Sequence, residues 1–139
     1  IASETAAFAT PGVNIGLFCS TPMVALSRNI GRKPAMEMLL TGQPVSAERA
    51  MAMGLVNRVT PPDGLKGETE ALAALIASKP QATLKLGKAA FYAQTEMTLD
   101  EAYAFAAETM TMNMLNAEAC EGIGAFVEKR PPNWPKEAS

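Results

Sequence analysis

Acid/base and metal chemistry require titratable groups that can meet, and this sequence is short of them. It contains no His. The chain alone therefore cannot assemble a Ser-His-Asp triad, a His proton relay or the commonest zinc ligand sets, and no metal is expected. Cys19 and Cys120 are its only thiols. With no His to activate it, Cys19 reads as a small buried apolar residue rather than a nucleophile. Glu101, Glu108 and Glu118 read as helix caps and surface charges, not as a catalytic pair. Met110, Met112 and Met114 suit helix packing better than metal binding, because no other soft ligand is near them. Lys85 and Lys88 share a helix face that solvation explains. Phe126 and Lys129 lie three apart on a helical stretch and can face one way; from the residues alone, Phe126 reads as core and Lys129 as solvated.

The elements that would position these residues come from a chain of 139 residues, 48% hydrophobic, within the size of one domain. A net charge of −2 and a pI near 5.2 give no broad positive field, so neither a nucleic-acid nor an anionic-membrane partner has electrostatic support. No apolar run reaches the roughly 18 residues of a membrane span, and the start Ile1-Ala2-Ser3 lacks the pattern of a signal peptide. A soluble protein is expected, and two scattered thiols fit a reducing cytoplasm. Ile1 opens in the middle of a strand-like piece, so the chain reads as a fragment.

Punctuation by Pro11-Gly12 and Gly16 predicts extended segments and turns up to Phe18. Thr21-Pro22 predicts a helix to about Asn29, ended by Gly31. Helices follow from Lys33 to Leu40, closed by Thr41-Gly42, and from Ser46 to Gly54. Residues 55–60 read as a short strand before Pro61-Pro62. Thereafter the pattern is helical: from Asp63 to the Ser78-Lys79-Pro80 break, from Gln81 to Gln94, from a capping box at Thr98-Leu99-Asp100-Glu101 through Met114, and from the Asn116 cap to about Lys129. Trp134 lies in a proline-rich tail, where docking and exposure are equally open. The sum is a mainly α chain with a short β portion, an odd autonomous fold.

Four stretches carry a family resemblance. Phe8-Ala9-Thr10-Pro11-Gly12-Val13-Asn14-Ile15-Gly16 resembles the crotonase stretch Phe-x-x-Pro-Glu-x-x-Ile/Leu-Gly. The run from Leu26-Ser27-Arg28 through Gly31 to Thr41-Gly42 resembles that family's Leu-x-Arg-x-x-Gly helix pair, and Ser46-Ala47 through Ala50 to Gly54-Leu55-Val56 its next helix and strand. Gly122-Ile123 through Ala125-Phe126 to Glu128-Lys129-Arg130 resembles its closing signature. The order and spacing match the back half of a crotonase, or enoyl-CoA hydratase/isomerase, family member.

The resemblance implies the C-terminal part of the ββα-spiral fold: residues 1–60 ending the spiral core, and residues 61–139 forming a helical trimerisation region. It implies an acyl-CoA thioester partner, with coenzyme A entering as part of the substrate rather than as a cofactor, and a homo-oligomer, trimer or hexamer. Pro11, Gly12, Leu17, Phe18 and Ser20 would line the substrate pocket, and Phe126 and Lys129 would contact CoA near adenine and a phosphate. Family hydratases place two glutamates around a water; Gly12 stands where one of them belongs, and the other would lie upstream. The expected function is a segment of an enoyl-CoA hydratase/isomerase-like protein, inactive alone, with a noncatalytic acyl-CoA-binding or assembly protein as the alternative. The apolar stripe Leu99, Ala102, Tyr103, Ala106, Met110 and Met114 should mediate association, and Lys136 should not matter to it.

Overall fold

Local capping chemistry sets most element boundaries in the computed structural model, which describes residues 1–135 and leaves Lys136 outside the described residues. The chain divides into two compact units, Ile1–Ala73 and a second beginning at Ala74. The first unit holds four strands of two residues each: β1 (Ala2–Ser3), β2 (Ala7–Phe8), β3 (Val45–Ser46) and β4 (Val59–Thr60). β1 pairs with β4 in parallel, Ala2 opposite Val59, and β2 pairs with β3 antiparallel, Phe8 opposite Val45. Between them run α1 (Ser20–Asn29), α2 (Arg32–Thr41) and α3 (Ala47–Ala52). α4 (Leu65–Ala77) leads into the second unit, made of α5 (Gln81–Gln94), α6 (Leu99–Met114) and α7 (Ala117–Val127). The chain is thus mainly helical with a small β portion, as expected.

The local signals hold where their partners are close in sequence. Gly42 closes α2 in the left-handed region at φ 61°, its amide on the Met38 carbonyl. The Ser46 hydroxyl accepts the Arg49 amide at 3.2 Å to start α3. The Glu101 carboxylate accepts from both the amide and the hydroxyl of Thr98, at 3.0 and 2.7 Å, completing the capping box of α6. Asn116 Oδ1 accepts the Glu118 amide at 3.0 Å at the start of α7.

Three expectations need correction. The strand predicted over residues 55–60 shrinks to Val59–Thr60, because the amides of Leu55 and Val56 both donate to the Ala50 carbonyl and cannot join a ladder. α1 begins at Ser20, before the Thr21 cap, with Cys19 at the cap position and the Ser20 amide on the Phe18 carbonyl. α7 ends at Val127 rather than Lys129, through a left-handed closure described below.

The core of the first unit is Leu26, Ile30, Ala35, Met38 and Leu39, ringed by Phe8, Cys19, Met23, Val45, Met53 and Leu55. Burying each large member stabilises by roughly 1.5 to 3 kcal/mol relative to exposure. The second unit is different: α5 packs on α6, and α7 touches both, yet only Glu118 and Ala125 are buried there among the described residues. Most of its large apolar side chains remain in solvent.

Candidate functional site

Pro11 opens a 3-10 turn over Pro11–Ile15 that Gly16 closes in the left-handed region at φ 78°. The Leu17 amide returns to the Gly12 carbonyl at 2.9 Å, and the Gly12 amide donates to Cys19 Sγ at 3.3 Å. The turn therefore brings four of the five expected pocket residues together with Cys19: Pro11 and Gly12 on one limb, Leu17 and Phe18 on the other. Ser20, the fifth, follows directly, its hydroxyl donating to the Phe18 carbonyl at 3.3 Å. Leu17 and Phe18 are exposed, free to wall an apolar pocket.

Gly12 is enclosed. A Cβ built there would stand 2.6 Å from the Leu17 carbonyl oxygen and 2.8 Å from Cys19 Sγ. Carbon atoms do not sit that close to either, so any side chain at position 12 requires the turn to move. Cys19 is half-buried against the unit's core, a packing role rather than a reactive one. Beside it, Thr10 escaped notice in the sequence. Its hydroxyl is buried without a hydrogen-bond partner among the described residues and borders a cleft of about 470 Å³ lined also by Phe8, Pro22, Leu26 and Met38. A buried unpaired hydroxyl costs about 1 to 3 kcal/mol, so a donor or acceptor from elsewhere belongs there. No local pattern marks such a residue.

Phe126 and Lys129 lie in the second unit, at the end of α7. Phe126 is 85% exposed, which overturns the reading that places it in a core of this chain. Past Val127 the Lys129 amide donates to the Phe126 carbonyl at 3.2 Å and the Arg130 amide to the Ala125 carbonyl at 3.0 Å. That is a Schellman closure with Lys129 in the position usually held by glycine. Lys129 has φ 55°, the only positive φ outside glycine among the described residues. Holding a side chain there costs about 1 kcal/mol or more. Next to it, Arg130 donates to both oxygens of Glu121 at 2.6 and 3.0 Å and to Glu128 at 2.6 Å. Glu121 also accepts the Asn133 amide at 2.7 Å. The Arg130 guanidinium and that amide hold the Glu121 carboxyl down at about 2. Trp134 lies near Gly122, where an added Cβ would be 3.2 Å from the indole, so the tail docks.

Glu118 is a cap, one of the two roles the sequence suggested, but a buried one rather than a surface charge. It is 5% exposed, and its oxygens accept the Ala82 and Thr83 amides at 3.1 and 2.9 Å. It thereby caps α5 from α7, an interaction across 35 and 36 residues. Burial pushes its carboxyl up, but the Thr83 and Ala82 amides outweigh this and hold it below the ordinary value. Thr83 Oγ1 and Asn113 Oδ1, 3.3 Å apart, add a contact to α6. Among the described residues no group of three or more His, Cys, Asp or Glu could hold a metal, and no helix is long and apolar enough to cross a membrane.

The sequence matches the enoyl-CoA hydratase/isomerase family over residues 1–137. The chain belongs to that family. It is 48% identical to the mouse protein named enoyl-CoA hydratase domain-containing protein 3, mitochondrial, over 96% of this chain and 45% of the relative. The human protein of the same name is 47% identical over 99% of this chain and 45% of its own length. An enoyl-CoA hydratase crystal structure from Mycobacterium smegmatis superposes with a TM-score of 0.93 at 54% identity, covering 95% of this chain and 51% of that one. The human domain-containing protein 3 structure gives 0.91 at 48% identity, covering 95% and 52%. The fold is therefore that of the crotonases, and the chain spans about half the length of the curated relatives it matches. The cytoplasmic location expected from the thiols is overturned, because these mouse and human relatives are named as mitochondrial.

Proposed function

We propose that this chain is the C-terminal half of an enoyl-CoA hydratase/isomerase-like protein that binds acyl-CoA thioesters, supplying a pocket wall and a CoA-contacting turn, and that it is inactive alone. The observation that carries the reading is the exposed pair at the end of α7: Phe126 uncovered, and Lys129 kept in a backbone conformation that glycine would adopt without strain. An aromatic face suits adenine stacking, and a lysine suits a phosphate. Pro11, Gly12, Leu17, Phe18 and Ser20 would border the acyl end. In hydratase chemistry the enolate of the thioester is stabilised by backbone amides, a contribution that the rest of the protein would supply. The assembly is a homo-oligomer, trimer or hexamer, and coenzyme A enters only with the substrate.

A second reading, a noncatalytic crotonase-like acyl-CoA-binding or assembly protein, is favoured by one observation. The space a carboxylate at position 12 would need is taken by the Leu17 carbonyl and Cys19 Sγ. Steady-state hydration of crotonyl-CoA by the intact protein tests both. Loss of one acid/base carboxylate removes roughly 10²- to 10⁴-fold of rate, so turnover should fall that far below an ordinary hydratase. Ordinary turnover would exclude both the noncatalytic reading and any need for a carboxylate at position 12. Saturable binding with no turnover favours the second reading, and absence of binding removes both.

A further inference from the structure

We propose that Glu121 and Arg130 form a clip that holds Lys129 in its left-handed turn, making them positioning residues for CoA recognition. The inference rests on the proposed CoA contact of Phe126 and Lys129. Helix closures of this kind usually rely on glycine, whose backbone enters the left-handed region freely. Lys129 lacks that freedom, so something else must hold φ at 55°. The residues around it are tied to one carboxylate. Arg130 follows Lys129 and grips both oxygens of Glu121, and Asn133, three residues further on, donates its amide to the same group. Glu128 precedes Lys129 and accepts Arg130 Nε. The paired fork of a guanidinium on a carboxylate fixes direction as well as distance, which one point charge would not do.

The charges divide accordingly. Arg130 is fully engaged by Glu121 and Glu128, whereas Lys129 forms no ion pair among the described residues. The clip spends its own cation on geometry and leaves the lysine ammonium for a ligand phosphate. The low carboxyl value of Glu121, about 2, keeps the clip charged at any physiological pH.

The test compares affinities of the intact protein for butyryl-CoA and for butyryl-pantetheine, which keeps the acyl arm and lacks the adenosine and every phosphate, together with thermal melting. Lys129→Gly should raise the melting temperature by relieving strain while cutting butyryl-CoA affinity about tenfold, the scale of one charge-assisted phosphate contact, and leaving butyryl-pantetheine unchanged. Lys129→Arg should keep the preference for butyryl-CoA. Glu121→Gln, and independently Arg130→Met should the first fold poorly, should lower that preference as far as Lys129→Gly does. Combining Glu121→Gln with Lys129→Gly should lose no more. If Glu121→Gln and Arg130→Met lower the melting temperature but keep the preference for butyryl-CoA, the clip is only structural and the proposal falls while the CoA reading stands. If Lys129→Gly leaves the preference intact, or wild type shows none, the CoA contact itself fails and takes the clip with it.

Discussion

Gly12 shows how much one residue can decide about a site. The resemblance implies that it stands where a family glutamate belongs; it does not show that the room for a side chain has gone. A Cβ at position 12 meets backbone at 2.6 Å, and backbone does not yield as a flexible side chain does. Gly12→Ala is accordingly expected to destabilise by about 1 to 3 kcal/mol, as overpacking of a tight site does, measured by denaturant unfolding. Gly12→Glu should cost at least as much and should not raise crotonyl-CoA hydration. Pairing it with Cys19→Gly should recover part of the stability, because only the sulfur contact is removed and the Leu17 carbonyl remains. Unchanged stability for Gly12→Ala would mean that the turn opens readily and the site can accept a carboxylate.

At the scale of elements, what was legible in the sequence was what is local. Thr98 with Glu101, Asn116 before α7 and Gly42 after α2 each cap within a few residues, so residue type and spacing suffice to find them. Glu118 and Glu121 were not legible. The amides that Glu118 caps lie 35 and 36 residues away, and Arg130 lies nine residues from Glu121 with no helical register to link them. The end of α7 was misplaced for a related reason: a left-handed closure is normally announced by glycine, and Lys129 gives no such signal. The placement of Glu118 has a measurable consequence. Glu118→Gln leaves one α5 amide facing an NH₂ group, so it should destabilise by about 1 to 3 kcal/mol at neutral pH. Since the folded-state carboxyl lies below the ordinary 4.5, its stabilisation is complete above that value and fades as pH falls through the lowered one. The gap between wild type and Glu118→Gln should therefore narrow below about pH 4.5 in a pH series of unfolding curves. A gap that widens on acidification would reverse the sign of the assignment.

For the molecule as a whole, the contrast between the units matters most. The first has a five-residue buried cluster, whereas the predicted stripe of α6 remains open, with Leu99 and Tyr103 each more than 70% exposed. Between α5 and α6 an apolar groove of about 360 Å³ runs past Leu86, Ala90, Phe91, Phe105, Ala106 and Met110. Apolar surface on this scale marks an interface, and several side chains at about 1.5 to 3 kcal/mol each can offset the cost of association. Met110→Lys should weaken self-association in a light-scattering dilution series, and a well-folded monomer persisting at high concentration would remove the expectation.

The central claim, an acyl-CoA-binding chain of the crotonase fold, is tested most directly by calorimetric titration of butyryl-CoA into the intact protein. A saturable isotherm is expected, with an affinity that drops about tenfold on Lys129→Gly. No heat of binding, under conditions where the protein is folded and assembled, would contradict it.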